Sequence, residues 1–308
     1  MHGFGMQPLD RGYSGETFVA EADGERTVVR IYAQRGARRG IAAVETDAAV
    51  LRLVRGLLPV PEVLDMRRPD PGADEPGLLV TSFLPGERLD LLLPRLDQRG
   101  RTTVGQELGR TLGRLAQMPM RSSGQFVDGG LTIEPWKEGV DLLDFVSHQR
   151  DSSAIAEWSD DDYRRLQAVA ERGQDVLDET ERVCLVHSDF NPKNLLIDPE
   201  TGALTGLLDW EFAHAGMPFA DLGNLLRFDR DPDLVGGVVE GYLEVAGHLD
   251  GLDEPGGAGR LLERARAADL LALVELAGRR GQNPVADRAD ARLRAIATSG
   301  DLHAVAHG

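Results

Sequence analysis

Apolar residues are spaced differently in the two parts of the chain, and strand patterns dominate the first part. Residues 17–22 and 27–32 alternate between apolar and polar, and the turn-forming pair Asp23 and Gly24 between them predicts a hairpin. In residues 41–56 apolar side chains recur every three or four positions, which predicts a helix. Further strands are predicted to end near Gly12 and to cover residues 63–66 and 78–83.

Beyond residue 84 the pattern is mainly helical. Helical spacing predicts helices at residues 102–118, 161–179, 232–247 and 259–281. Three apolar runs, at residues 183–186, 195–197 and 204–208, are too short for helices and predict buried strands. The sequence therefore predicts an α+β chain with a small antiparallel N-terminal lobe, residues 1–83, and a mainly helical C-terminal lobe, residues 84–308.

The polar residues that follow the three short strands carry the clearest chemical signal. His187, Asp189 and Asn194 form the pattern H-x-D-x-x-x-x-N, and Asp209, in a D-W-E segment, follows fifteen residues after Asn194. Residues at strand ends can be aimed at a ligand by a rigid scaffold. This order of a carboxylate, an amide and a second carboxylate is used in kinase-like phosphoryl transfer.

The segments HSDFNPKN and LLDWEFA resemble the signature of the aminoglycoside phosphotransferase family, the small-molecule branch of the protein-kinase-like fold. The resemblance implies a two-lobed kinase-like fold that uses ATP and Mg²⁺. By this resemblance, Asp189 would accept the proton of the acceptor hydroxyl, and Asn194 and Asp209 would bind Mg²⁺. His187 and Asp221 would brace the catalytic loop through hydrogen bonds.

One upstream position departs from the family pattern. The resemblance calls for a lysine in the third strand, where it grips the nucleotide phosphates, but this chain has Arg30. The spacing to the following G-x-x-P-V-P segment predicts Asp47 as its helix partner rather than Glu45, and only one of the two can face Arg30. The whole sequence is poor in lysine, which favours a functional replacement over a damaged site. Val28 shares a strand face with Arg30 and is predicted to cover adenine.

The other predicted nucleotide contacts rest on weaker patterns. The resemblance places Ser14 and Gly15 in a phosphate-binding loop, although a plain β-turn explains their composition nearly as well. Lys193 lies inside the catalytic loop, where it would either touch the γ-phosphate or face solvent. The hinge residues expected to bind adenine through their backbone are Ser82, Phe83 and Leu84.

The composition limits the partners. The chain has 51 acidic against 34 basic residues, a net charge of −17, and no basic run, so it does not fit a nucleic-acid binder. It has no secretory signal pattern and no apolar run of membrane-spanning length, so we expect a cytoplasmic protein whose partners are a nucleotide and a small acceptor.

The acidity would attract a cationic acceptor or simply solvate the surface, and the sequence does not decide between them. Glu211 is the best-placed carboxylate for a cation, two residues after Asp209. The other candidates are Asp229, Asp231 and Glu275, for each of which a role as a helix cap or surface charge is the stronger alternative.

Three functions compete. The first is an ATP- and Mg²⁺-dependent O-phosphotransferase acting on an antibiotic of the aminoglycoside, macrolide or basic peptide type, which would confer resistance. The second is a kinase for a metabolite such as choline, homoserine or a sugar. The third, a nucleotide-binding pseudokinase, is supported only by Arg30, whereas the joint presence of Asp189, Asn194 and Asp209 argues against it.

Overall fold

The fold is that of a computed structural model, which describes residues 5–8, 17–22, 24–33, 39–70, 72–136 and 141–306. A five-stranded antiparallel sheet in the order β1-β2-β3-β5-β4 forms its first part. The strands and the helix between them are β1 (Gly5–Pro8), β2 (Thr17–Ala22), β3 (Glu25–Tyr32), α1 (Ala43–Val54), β4 (Val63–Arg67) and β5 (Gly77–Ser82).

Local sequence explains this sheet and its helix. Gly24 adopts a φ of +83° between β2 and β3, a conformation that glycine reaches without a steric penalty. The predicted turn partner Asp23 lies outside the described residues, as does Gly12. The buried face of α1 includes Val44, Ala48 and Val54, which have the spacing that predicted the helix.

The rest of the chain is mainly helical, with short strands between the helices. Its elements are β6 (Glu87–Arg88), α2 (Leu89–Leu92), α3 (Gln98–Ala116), β7 (Gly124–Phe126), β8 (Ile133–Glu134), α4 (Leu142–Ser152), α5 (Asp160–Asp178), β9 (Cys184–Val186), β10 (Leu195–Ile197), β11 (Leu204–Leu207), β12 (His214–Gly216), α6 (Ala220–Leu225), α7 (Pro232–Ala246), α8 (Gly257–Ala268), α9 (Leu270–Ala277) and α10 (Pro284–Ser299). Among the described helices, none is both long and apolar enough to cross a membrane.

Two small sheets position the polar segment that the sequence singled out. One has the order β11-β10-β6 and the other β8-β7-β12-β9. His187 directly follows β9, and Asp209 follows the β10–β11 hairpin. The strands β9 and β10 are fully buried, so the polar residues at their ends are held by a rigid core.

Helices α3 and α7 cross at very close range because glycines line their contact. A Cβ atom at Gly109 would collide with the carbonyl oxygen of Val238, and one at Gly241 would collide with that of Gln106. These glycines therefore set how closely the two helices can approach.

The sequence placed several element boundaries incorrectly. The predicted helix at residues 259–281 is two helices, α8 and α9, separated by the buried residue Asp269. α4 and α10 were not predicted, although Asp141 and Asn283 cap them with side-chain hydrogen bonds to backbone N–H groups.

Candidate active site

The catalytic loop after β9 is held by one buried carboxylate. The backbone N–H groups of His187 and Ser188 donate to the two carboxylate oxygens of Asp221, each at 2.7 Å. The side chain of Asn224, also on α6, donates to the carbonyl oxygen of Ser188 at 2.8 Å. Burial raises the pKa of Asp221 to about 7, and these backbone donors oppose the rise. The contacts are those that the sequence predicted for Asp221.

His187 lies inside the protein and supports the loop from within. Its ring Nε2 is 2.9 Å from the carbonyl oxygen of Leu208, and its Nδ1 accepts the N–H of Asp189 at 3.2 Å. Burial lowers its pKa to about 4, so the ring is neutral at physiological pH. The indole of Trp210 meets the imidazole edge-on, with ring centres 4.6 Å apart. These contacts suit a structural role.

The carboxylate of Asp189 is held by two amide side chains. Asn194 donates to Oδ2 at 2.8 Å and Asn191 donates to Oδ1 at 2.6 Å. Burial raises the pKa of Asp189, and the nearby charge of Asp209 adds to the rise, while the two amides oppose it. Asn191 was not singled out from the sequence, although an Asn before Pro at a turn is a recognisable capping signal.

Asp209 forms an ion pair with Arg30. Nη2 of Arg30 lies 3.0 Å from Oδ1 of Asp209, although 179 residues separate the two in sequence. The backbone of Asp209 has a φ of +63°, an uncommon conformation that costs energy and is often found at functional sites. Burial alone would lower the pKa of Arg30, but Asp209 and its other neighbours outweigh burial and raise it. The contact links the five-stranded sheet to the catalytic segment.

The predicted ion pair between Arg30 and Asp47 is wrong. Asp47 instead accepts two hydrogen bonds from Arg39, at 2.7 and 3.0 Å, and one from the Tyr32 hydroxyl at 2.6 Å. Arg39 reaches the buried carboxylate from the chain just before α1, while Arg30 turns towards Asp209. Asp47 still acts on Arg30 through its charge. The sequence reasoning missed both Arg39 and Tyr32.

The donors at Asp209 and Asn194 are suited to Mg²⁺. The Asn194 amide uses its nitrogen to hold Asp189, which leaves its oxygen as a ligand, and Asp209 supplies a carboxylate. Both are hard oxygen donors, which Mg²⁺ prefers together with phosphate oxygens. The described residues contain no cluster of three or more His, Cys, Asp or Glu side chains that could hold a metal. With Asn194 and Asp209 as protein ligands, Mg²⁺ would take its other oxygen ligands from water and phosphate.

The residues predicted to contact adenine lie on β3 and at the end of β5. Successive side chains of a strand point to opposite faces of the sheet. Val28 and Arg30 are two residues apart on β3, so they lie on the same face. The N–H of Ser82 donates to the carbonyl oxygen of Glu62 at 2.9 Å, so it is not a free donor for adenine. The guanidinium of Arg26 stacks 3.9 Å from the centre of the Phe83 ring. Leu84 borders Gly206 on β11, which places the hinge over the β10–β11 hairpin.

Ser14 and Gly15 lie outside the described residues. Lys193 is exposed, and its N–H donates to the Asn191 side chain as part of the turn before β10. This contact fixes the position of its backbone.

The carboxylates predicted to meet a cationic acceptor have partners within the fold. Asp231 caps α7 and pairs with Arg101, and the Asp229 side chain accepts the N–H of Asp231. Glu275 pairs with Arg279 one helical turn away. The charge of Glu211 raises the pKa of Arg30 and Arg39, so this carboxylate lies within electrostatic range of both arginines.

Comparisons with known proteins agree with this geometry. A model of the phosphotransferase enzyme family matches residues 5–257. The chain is 28% identical over 204 residues to an aminoglycoside 3'-phosphotransferase of Streptomyces ribosidificus, covering 64% of this chain and 72% of that protein. It is 24% identical over 224 residues to acyl-CoA dehydrogenase family member 10 of Mus musculus, covering 70% of this chain. The match spans about a fifth, 19%, of the mouse protein.

Solved structures share the fold. A ternary complex of a thermostable mutant of aminoglycoside phosphotransferase APH(4)-Ia with ADP and hygromycin B has a TM-score of 0.63 at 20% identity, covering 97% of this chain and 94% of that one. The GDP complex of aminoglycoside 2'-phosphotransferase-IIIa has a TM-score of 0.67 at 16% identity, covering 96% and 93%. The predicted two-lobed α+β fold is confirmed. Since the family match runs from β1 to the start of α8, this chain belongs to the phosphotransferase enzyme family and has its protein-kinase-like fold.

Proposed function

We propose that this chain is a Mg²⁺-dependent O-phosphotransferase that moves the γ-phosphoryl group of ATP to a hydroxyl group of a small molecule. The observation that carries the proposal is the Asp189 carboxylate, which Asn191 and Asn194 fix near the charge of Asp209. Membership of a phosphotransferase family supports the same reaction. Phosphoryl transfer needs mainly positioning and charge stabilisation from the protein, and these residues can supply both.

In this proposal Asp189 accepts the proton that the acceptor hydroxyl loses as its oxygen attacks the phosphorus. Burial raises the pKa of Asp189, which makes it a better proton acceptor than an exposed aspartate. The two amides prevent rotation of the carboxylate and so keep one oxygen directed at the hydroxyl. Neutral His187 holds the loop and takes no part in proton transfer.

The nucleotide would lie between the sheet and the catalytic segment. Arg30 would exchange its contact with Asp209 for the nucleotide phosphates, while Val28, Phe83 and Leu84 would surround adenine. Mg²⁺ held by Asn194 and Asp209 would neutralise phosphate charge. Asp47, fixed by Arg39, would add a negative charge that keeps Arg30 protonated and oriented.

We also propose two lobes that meet at Phe83 and Leu84. Residues 1–83 would bind the nucleotide, and residues 84–308 would carry out catalysis and bind the acceptor. The proposal places the protein in the cytoplasm, where ATP is available. The structural relatives are complexes with ADP in one case and GDP in another, so a test should compare both triphosphates.

An antibiotic is the first candidate acceptor, because the Streptomyces relative is an aminoglycoside phosphotransferase and APH(4)-Ia is seen with hygromycin B. A metabolite is the second candidate. One observation favours it over a cationic antibiotic. The carboxylates expected to face a cation form contacts within the fold instead, namely Asp231, Asp229 and Glu275.

The proposal can be tested by measuring ADP release from Mg-ATP and Mg-GTP with a panel of antibiotics and hydroxyl metabolites. We expect acceptor-dependent release that Asp189→Asn lowers by about 1000-fold while nucleotide binding is kept. Asp253→Asn, in an exposed loop, is the matched control and should behave as the wild type. Equal turnover by Asp189→Asn would contradict the role of Asp189, and silence with every acceptor would contradict the reaction.

A further inference from the structure

Four arginines surround one buried carboxylate among the C-terminal helices. Arg227 and Arg230 lie in the loop between α6 and α7, Arg266 lies on α8, and Arg292 lies on α10. We call these four residues the arginine cluster. Nε and Nη2 of Arg227 both donate to Asp269, at 2.9 and 2.7 Å to Oδ1, so one arginine occupies the central carboxylate.

The other three arginines have more N–H groups than the fold satisfies. Arg266 is 3% exposed and Arg292 is 4% exposed. Nε of Arg266, Nε and Nη1 of Arg292, and Nε and Nη2 of Arg230 are buried without an acceptor among the described residues. Their remaining contacts include the carbonyl oxygen of Leu226, which both Arg230 and Arg266 approach. Buried donors without acceptors cost free energy, so a site that keeps several of them needs an explanation.

The cluster also has an excess of positive charge. Burial, together with the charge of Arg230, lowers the pKa of Arg266 to about 9 and that of Arg292 to about 10. Both side chains therefore remain protonated at neutral pH. Asp269 balances one of the cations, and Asp229 contributes a weaker opposing charge on Arg266 and Arg230. Such an excess is notable in a chain whose net charge is −17.

The cluster borders the catalytic loop. Asn224 binds the carbonyl oxygen of Ser188, and the backbone N–H of Arg227 donates to the carbonyl oxygen of Asn224 at 3.3 Å. Two hydrogen bonds therefore connect Arg227, through Asn224, to Ser188, the residue directly before Asp189. Arg266 on α8 donates to the carbonyl oxygen of Leu226, just after α6, so the cluster connects the catalytic loop to the C-terminal helices.

We propose that the arginine cluster binds an anionic group of the acceptor, a carboxylate or a phosphate, and so selects a negatively charged hydroxyl compound. This inference rests on the proposed phosphotransfer, because the anion is placed in the acceptor side of the same site. Guanidinium groups pair with two oxygens of a carboxylate or phosphate, and the free N–H groups of Arg230, Arg266 and Arg292 would gain acceptors. A cationic acceptor such as an aminoglycoside would instead meet repulsion here, so this inference favours the metabolite over the antibiotic as the acceptor.

Binding can be tested without turnover. Inorganic phosphate is titrated against the wild type, Arg292→Met and the exposed control Arg279→Met, and the melting temperature is followed. We expect phosphate to raise the melting temperature of the wild type and of the control, and to raise that of Arg292→Met much less. Equal shifts in all three proteins overturn the inference. If Arg292→Met does not fold, Arg292→Lys, which keeps the charge but loses the planar fork, replaces it.

Turnover then identifies the anionic group. ADP release is measured with hydroxyalkyl carboxylates, hydroxyalkyl phosphates, the uncharged amides of the carboxylates, and hydroxyalkyl amines. We expect one anionic series to exceed the amides in kcat/KM by about 100-fold and to lose that advantage in Arg292→Met, with an unchanged KM for ATP.

The two hypotheses fail differently. Amines or amides as the best acceptors, with equal turnover by Arg292→Met, would overturn the anionic acceptor and leave the phosphotransferase intact. Absence of turnover with every acceptor would contradict the phosphotransferase, and the phosphate titration would still decide whether the cluster binds an anion.

Discussion

The molecule has two arginine-rich regions that differ in how their charges are balanced. Between the sheet and the catalytic segment, Arg30 pairs with Asp209 and Arg39 pairs with Asp47. In the arginine cluster, four cations share essentially one buried carboxylate, and several N–H groups lack acceptors. Under the proposed function a nucleotide would have to compete with Asp209 for Arg30, whereas an anionic acceptor would meet N–H groups that lack acceptors among the described residues.

The largest expected effect comes from Asp209→Ala, which removes the carboxylate from the balanced region. Turnover should fall by at least about 1000-fold, because a metal ligand and a fixed charge are lost together. ADP binding without Mg²⁺ should persist, since Arg30 is then free to bind phosphate. Steady-state ADP release and calorimetric titration measure the two effects, with Asp253→Ala as the control. Loss of ADP binding without metal would show that Arg30 needs Asp209 for its position.

Removing an arginine should affect the free energy of unfolding differently in the two regions. Arg39→Ala leaves Tyr32 as the one hydrogen-bond partner of the buried Asp47 carboxylate among the described residues, which should lower the free energy of unfolding by about 3 kcal/mol. Arg292→Met removes one of several like charges and should leave stability unchanged or higher. Urea unfolding of both variants and the wild type tests this contrast. A similar loss in the two variants would mean that both regions are balanced in the same way.

Raising the pH into the alkaline range should change the stability contributed by the two regions differently, and by a smaller amount. The folded-state pKa of Arg266, about 9, lies below its unfolded value, so the unfolded chain binds more protons as pH rises past it. Stability from this group should therefore rise by about 1 kcal/mol from about pH 8 to pH 10. The pKa of Arg30 is raised, so Arg30 contributes no such change in that range. The measurement is the wild-type unfolding free energy minus that of Arg266→Met at each pH, and a difference that stays constant or falls would contradict the prediction.

The smallest expected effect concerns the loop between the two regions. Ser188 has a φ of +70°, in the left-handed region that favours glycine. Ser188→Gly should relieve this strain but lose entropy on folding, for a net gain of at most about 1 kcal/mol, and turnover should not change. Ser188→Val should be destabilised. Thermal unfolding and ADP release test both variants, and a large loss of turnover in Ser188→Gly would show that the serine side chain is itself needed.

The catalytic loop could be predicted from sequence because its contacts are local. Asn194, which the sequence singled out, reaches Asp189 across five residues, whereas the equally local contact of Asn191 was not predicted. Such spacing fixes geometry once strands bracket the segment. The predicted helices α3, α5 and α7 were found for the same reason, since their apolar spacing is a property of consecutive residues.

The ion-pair partners of the buried charged residues could not be predicted, because they depend on which groups distant in sequence come together in the fold. Asp47 binds Arg39, and Arg30 binds Asp209 across most of the chain, so the family-like pairing of Arg30 with Asp47 was wrong. The arginine cluster combines a loop with residues from α8 and α10, one of which was not predicted at all. Long-range assembly of this kind leaves no periodic trace in the sequence.

The position of Trp210 gives the protein its own optical probe. Its buried indole follows Asp209 directly, donates to the carbonyl oxygen of Leu207 at 3.0 Å and abuts the ring of His187. The chain has three tryptophans, and the indole N–H groups of the other two, Trp136 and Trp158, donate to Ser123 and Asp290. Replacing those two with phenylalanine would leave a single emitter next to the proposed metal ligand, so that arrival of a nucleotide could be followed in real time without a label.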